Sequence, residues 1–332
     1  MILRQAAAID TAPLELVELP EPQPMPGEVR LEVRCCGICR TDLHVIEGEL
    51  PQRKVPIIPG HQVVGVVDAL GEGSRRFTLG QRVGVAWLRY TCGRCGYCAA
   101  GRENLCEAAR FTGYHADGGY AEYAVVPEAF GYSIPEVFDD VTAAPLLCAG
   151  IIGYRALRRC QVPDGGSLAL YGFGSSAHVV LQIARHRGCR LLVVTRGEHH
   201  RELARAMGAD WVGAEAAELP EKVDSAIIFA PAGELVPAAL ASLKKGGTLA
   251  LAGIYMTPIP QMDYEKCLFY ERDLRSVTSN TRADGRELLA EAARVPVRPH
   301  TQVYPLAEAN RALQDLKNDR IKGSGVLIVQ DH

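Results

Sequence analysis

The sequence predicts an α/β protein in two parts: a β-rich domain of short strands, followed by a doubly wound parallel sheet with crossover helices. Three observations predict it. The chain has 332 residues, long for one hydrophobic core, so two domains are expected. Residues 1–148 are rich in Pro and Gly and carry short β-like apolar runs. From about 150 to 284 apolar strands alternate with helical stretches, the pattern of parallel strands joined by helices.

In the first part, "EVRLEVRC", "QVVGVVDAL", "QRVGVAW" and "YAEYAVV" read as strands, with "MPGE" and "GEGS" as turns. In the second, "SLALYGF", "RLLVVTR", "DSAIIFA" and "GTLALAGI" read as strands. The stretches "SSAHVVLQIARHRG", "EHHRELARAMGA" and "ELVPAALASLKKG" between them read as helices. The tail after "ADGRELLAEAARV" holds an amphipathic helix at roughly 306–318 and a last strand. There is no internal repeat or low-complexity segment.

Composition narrows the function classes. Apolar content of 48% with 23% charged residues suits a globular protein. A net charge of −3 gives no reason to expect nucleic acid or an anionic membrane as partner. The N-terminal stretch lacks an apolar signal-peptide core, and no run approaches the ~20 residues of a membrane span. A cytoplasmic location is expected. Eleven cysteines in a reducing compartment should then be thiols or metal ligands rather than disulfides.

Residues Gly172-Phe173-Gly174-Ser175-Ser176-Ala177 spell G-x-G-x-x-A between an apolar strand and a helix. Gly172 permits the tight turn, and Gly174 lets backbone approach a pyrophosphate. Ala177 keeps the helix close to the sheet, and the helix N-terminus offers donors and positive potential to phosphates. Cys92, Cys95, Cys98 and Cys106 stand in C-x2-C-x2-C-x7-C spacing. Four thiolates can close a tetrahedral structural zinc site that orders a loop with little core of its own. An iron–sulfur cluster or buried free thiols are the alternatives. The fourth cysteine comes later than in bacterial ferredoxins and lacks their following proline.

Cys39 in "CGICRTDLH", His61 in "PGHQVVG" and Cys148 in "LLCAG" are three further candidate ligands, too far apart for spacing to unite them. With the cysteine lobe and the glycine turn, these segments resemble the zinc-dependent alcohol dehydrogenases of the medium-chain dehydrogenase/reductase superfamily. The likeness runs nearly the full length, in the family's order, and is greatest for the cinnamyl-alcohol-dehydrogenase-like bacterial branch. It implies a GroES-like catalytic domain over 1–149 with a structural-zinc lobe at about 90–108. A Rossmann coenzyme domain over 150–284 follows, then a C-terminal part, 285–332, returning to the catalytic domain, with the active site in the cleft between the domains. By the same resemblance Cys39, His61 and Cys148 hold a catalytic zinc, which makes two per chain, and Asp42 orients His61. Thr41 takes the alcohol proton, and His44 passes it to solvent by way of the nicotinamide ribose hydroxyl. Arg40 contacts coenzyme phosphate, and Trp87 lines the substrate pocket, with Leu88 and Tyr114 as possible helpers.

Two residues depart from the family pattern. Gln62 replaces the usual glutamate after the ligand histidine, and Ser324 stands where an arginine often contacts pyrophosphate. The coenzyme is expected to be NADP(H) rather than NAD(H). The second strand of the coenzyme domain ends in Thr195 and Arg196 instead of an acid, and Glu198 follows two residues later. The expected reaction is hydride transfer between a primary alcohol, aromatic or allylic in the favoured case, and its aldehyde. An NAD-dependent alcohol or polyol dehydrogenase and a non-enzymatic zinc redox sensor are the competing readings. The resemblance also implies a homo-oligomer, dimer or tetramer, through the edge of the Rossmann sheet, here at "DLRSVTS".

Overall fold

The computed structural model describes residues 1–295 and 297–329. The chain divides into two units. The first comprises Met1–Cys148, Ser279–Ala293 and the chain from Pro299 onward, and the second Ala149–Thr278 with Arg294–Arg298.

The first unit is built on a seven-stranded sheet in the order Thr301–Pro305, Ser324–Ile328, Glu28–Gly37, Gln62–Leu70, Arg82–Val85, Gly131–Ser133. Tyr123–Pro127 also pairs with Glu28–Gly37. The strand Glu28–Gly37 alternates: Val29, Leu31 and Val33 are fully buried while the residues between them are half-buried. That is the period-2 pattern of a strand with one face on a core. Its antiparallel register pairs Gly37 with Gln62. A Cβ on Gly37 would lie 3.0 Å from the Gln62 side chain, so the two chains approach closely there.

The second unit holds six parallel strands in the order Trp211–Gly213, Arg190–Val194, Ser167–Tyr171, Val223–Ile228, Leu243–Leu251, Asp273–Ser276. In chain order that is 3-2-1-4-5-6, the Rossmann arrangement, whose switch point lies beside the first strand. Ser167–Tyr171 is buried throughout, as a central parallel strand must be. One expected helix is shorter than its apolar pattern. It ends at Ala241, where the Ser242 hydroxyl donates to the Ala239 carbonyl at 2.7 Å. The stretch Leu243-Lys244-Lys245 opens the next strand instead. Among the described residues no single helix is long and apolar enough to cross a membrane.

Candidate active site and metal centres

The strand register builds the first site. Cys39 lies two residues beyond Gly37, and His61 one residue before Gln62. Pairing Gly37 with Gln62 therefore sets Cys39 and His61 side by side. Cys39 is the extended N-cap of helix Arg40–Ile46, and its sulfur accepts the Thr41 N–H at 3.3 Å. The Asp42 carboxylate closes the capping box by accepting the Cys39 N–H at 2.9 Å. Its other oxygen meets His61 Nδ1 at 2.9 Å. The chain before His61 must be glycine: Gly60 has φ +94°, and a Cβ there would collide with the buried Tyr120 ring. Cys148 arrives after the buried turn Ala144–Leu147.

His61 Nε2 consequently lies 3.3 Å from Cys39 Sγ and 3.2 Å from Cys148 Sγ. With Asp42 engaged at Nδ1, the Nε2 atom faces two sulfurs. Burial pushes the Cys39 thiol up, yet its bond from Cys148 and the His61 imidazolium hold it well below the usual thiol range. Cys148, bonded to Cys39 and partly buried, is pushed well above it. Burial lowers His61, but Asp42 and Cys39 outweigh it and raise the imidazole to about 10. Two partly buried thiols converging on a buried imidazole, with a carboxylate fixing the ring, are a donor set that suits zinc.

Thr41 and His44 lie on the same short helix. Thr41 is buried, and His44 Nδ1 is paired with the Glu49 carboxylate beyond the helix end. Arg40 is exposed at the first helical position. Trp87 meets His61 edge-on at 4.9 Å between ring centroids. Tyr114 stacks on this indole at 5.8 Å, and its hydroxyl donates to the Pro51 carbonyl at 2.6 Å. Leu88 is a correction: it is fully buried in the hydrophobic core of the first unit, so it cannot line a pocket. Gln62 is buried in its strand. Ser324, also buried, donates its N–H to the His300 carbonyl at 2.9 Å.

Cys92, Cys95, Cys98 and Cys106 form the second cluster, all four sulfurs within 4.8 Å of one another. Cys92 Sγ is 3.6 Å from Cys106 Sγ and accepts the Cys95 N–H at 3.4 Å. Backbone N–H groups of Arg94 and Cys95 lower the Cys92 thiol to about 6, so a thiolate forms readily there. Four thiols with backbone donors aimed at the sulfurs suit a closed structural zinc.

In the second unit Gly172 has φ +86°, and a Cβ on it would lie 3.0 Å from the Ala230 nitrogen. The fold itself therefore demands that glycine. Gly174 is different. Its φ of −111° suits any residue, and no protein atom lies within 4 Å of a Cβ placed there. What glycine leaves at Gly174 is open space beside the N-terminus of helix Ser175–His186, a place whose backbone donors suit a phosphate. Ala177 is fully buried, and His178 Nδ1 lies 3.1 Å from the Gly174 carbonyl. Thr195 is buried just after the second strand, and Arg196 is 83% exposed. Glu198 opens the next helix and pairs with Arg201 and Arg205, which lower its carboxyl below the usual range.

Sequence reasoning did not single out Glu49, Phe111, His115 or Glu234. Glu49 follows His44 by five residues, just after the helix ends, and helical spacing gives no signal for it.

Two family models match the chain: the alcohol dehydrogenase GroES-like domain over residues 25–136, and zinc-binding dehydrogenase over residues 177–294. The probable alcohol dehydrogenase AdhA of Mycobacterium tuberculosis is 50% identical over 332 residues, covering 98% of this chain and 96% of that one. An alcohol dehydrogenase of Geobacillus stearothermophilus is 35% identical, covering 96% of each. Among solved structures, a cinnamyl alcohol dehydrogenase of Sorghum bicolor superposes with TM-score 0.89 at 27% identity, covering 97% of this chain and 96% of that one. A β-rich GroES-like domain and a Rossmann domain with zinc-type donor sets define the medium-chain dehydrogenase/reductase class. Within it the chain belongs to the zinc-dependent alcohol dehydrogenases. It is an oxidoreductase that uses zinc and a nicotinamide coenzyme on an alcohol/aldehyde pair.

Proposed function

We propose that the chain moves hydride between a primary alcohol and its aldehyde with NADP(H) in preference to NAD(H), holding two zinc ions per chain. The observation that carries the chemistry is the convergence of Cys39 Sγ, His61 Nε2 and Cys148 Sγ, with Asp42 behind the imidazole. Zinc held there supplies Lewis acidity to an alcohol or aldehyde oxygen. Asp42 keeps the His61 proton on Nδ1 and its lone pair on Nε2. The Thr41 hydroxyl takes the alcohol proton. His44, three residues along the helix, carries it outward, its Nδ1 held by Glu49. Trp87, beside His61, lines the pocket in which an aromatic or allylic substrate packs. Cys92, Cys95, Cys98 and Cys106 hold the second ion, which orders the lobe.

Gly172, Gly174, Ser175, Ser176 and Ala177 cradle the pyrophosphate, and the exposed Arg40 adds a cation for coenzyme phosphate. Thr195 and Arg196 read the 2′-phosphate. The nearest acid along the chain, Glu198, is occupied by two arginines. Among the described residues the Arg196 guanidinium is held only by a 3.9 Å pairing to the exposed Glu234, which a phosphate can displace. The strand Asp273–Ser276 at the sheet edge pairs with a second copy in a dimer or tetramer. All eleven cysteines are free of disulfides, which suits the cytoplasm.

The test is kcat/KM for both coenzymes in the parent and in Arg196→Asp, with zinc per chain from mass spectrometry. Charge-assisted hydrogen bonds contribute roughly 1.5–3 kcal/mol each, about 10- to 150-fold. The parent should prefer NADP(H), and the variant should move toward NAD(H). A ratio that does not move removes Arg196 from phosphate recognition.

A further inference from the structure

We propose that Arg53, Arg110 and His115 form an anion-binding rim on the substrate site, so that the preferred alcohol or aldehyde carries a carboxylate or phosphate at the far end of an apolar body. This rests on the reading above that the Cys39–His61–Cys148 centre is the reacting end.

A continuous run of rings leads from that centre to the rim. Trp87 meets the ligand His61 at 4.9 Å. Phe111 stacks on Trp87 at 5.0 Å and 12°, and Tyr114 at 5.8 Å and 19°. The His115 ring meets Tyr114 at 4.7 Å and Phe111 at 5.6 Å. Such a shelf packs an apolar or aromatic body but offers it few polar partners. Its outer end has the opposite character. The Phe111 N–H donates to His115 Nδ1 at 3.3 Å, which leaves Nε2 to carry the proton as a donor. Arg110 precedes Phe111 on the strand Arg110–Phe111. The Tyr114 hydroxyl holds the Pro51 carbonyl at 2.6 Å, and Arg53 lines the same small hollow as Tyr114 and Leu50. Burial first, and then the Arg110 and Arg53 guanidinia, hold His115 below its ordinary value.

Among the described residues neither Arg53 nor Arg110 makes an ion pair or a side-chain hydrogen bond. The neighbouring Lys54 is paired with Asp117, which also accepts the Ile58 N–H at 3.0 Å. Two unpaired guanidinium forks around a neutral imidazole N–H suit an oxyanion. A simple alcohol would leave those groups unused.

The experiment compares 8-hydroxyoctanoate with 1-octanol, and 10-hydroxydecanoate with 1-decanol, in the holoenzyme. In parallel, octanoate, octyl phosphate and octanamide are titrated by quenching of Trp87 fluorescence in a Trp211→Phe background. The hydroxycarboxylate should win by about tenfold in kcat/KM at low salt, through KM, with the advantage shrinking as salt rises. Arg53→Ala/Arg110→Ala should bring the ratio near unity, while Arg53→Lys/Arg110→Lys keeps part of it. An anion should quench at lower concentration than octanamide, and the tighter of the two anions names the tail. Equal kcat/KM for acid and alkanol, or equal quenching by anion and amide, overturns the rim and leaves the dehydrogenase reading standing. Absence of turnover with every alcohol overturns that reading instead, and the quenching then decides the rim by itself.

Discussion

Asp42 joins two tasks in one carboxylate: one oxygen caps the helix at Cys39 and the other holds His61. Its candidacy was legible from its place in "CGICRTDLH". The physical link between Cys39 and His61 was not, because it depends on the register that pairs Gly37 with Gln62. Asp42→Asn should therefore weaken zinc binding about 10- to 100-fold, read by chelator competition, while the amide oxygen still caps the helix. Unchanged affinity would make Asp42 a cap only. Cys148→Ser should abolish turnover in a folded protein, because the strands around it keep their own apolar core. Near-parent activity with one zinc missing would remove Cys148 from the site. His44→Gln should slow alcohol oxidation by less than the ~100-fold typical of a buried general base, since solvent reaches this partly exposed ring. The loss should be greatest below neutral pH, where hydroxide cannot substitute. A flat ratio to the parent across pH would take His44 out of the proton path.

At the scale of elements, the cysteine lobe was legible from spacing, but its attachment was not. Glu103 in the turn Glu103–Leu105 receives the Arg282 backbone N–H at 2.7 Å and the Arg282 guanidinium at 2.6–3.0 Å. These residues are 179 apart in sequence, and no local pattern predicts such a pair. Arg282 opens the helix Arg282–Arg294 and also lies over the Phe130 ring at 4.7 Å. Glu103→Gln should cost about 1–2 kcal/mol, a value reduced for the partial exposure of both groups, seen as a lower denaturation midpoint. The pair also sets a pH dependence. Burial raises the Glu103 carboxyl, but the bonds from Arg282 outweigh it and hold it below 4.5. The folded carboxyl thus binds fewer protons than the unfolded one. Its contribution is complete above that value and is lost as pH falls through the folded one. The parent should lose more stability than Glu103→Gln between neutral pH and the acid range. Parallel stability curves would show that the pair is too solvated to matter.

For the molecule as a whole, the division into a β-rich part and a parallel sheet was legible because the two have different apolar periods. Burial of both faces goes with an unbroken apolar run from Leu168 to Tyr171, whereas Glu28–Gly37 alternates. The short strand Trp211–Gly213 was not legible, since three residues carry no period of their own. The aromatic shelf also stayed hidden, because Trp87, Phe111 and Tyr114 meet only through tertiary folding. Chain-wide, the two donor sets differ in number and in surroundings. One offers three protein donors beside strands that are already packed, and the other four thiols in a lobe with little core. Three donors hold a metal less tightly than four, and a zinc bound in the lobe would itself supply folding energy. Stepwise chelation of the holoprotein should therefore separate the two. The first zinc lost should take the turnover with it and leave the melting temperature nearly unchanged. The second should lower the melting temperature by several degrees. Zinc content, turnover and circular-dichroism melting measured on the same samples read this directly. If turnover and melting temperature fall together from the first ion removed, the division into a catalytic and a structural centre fails.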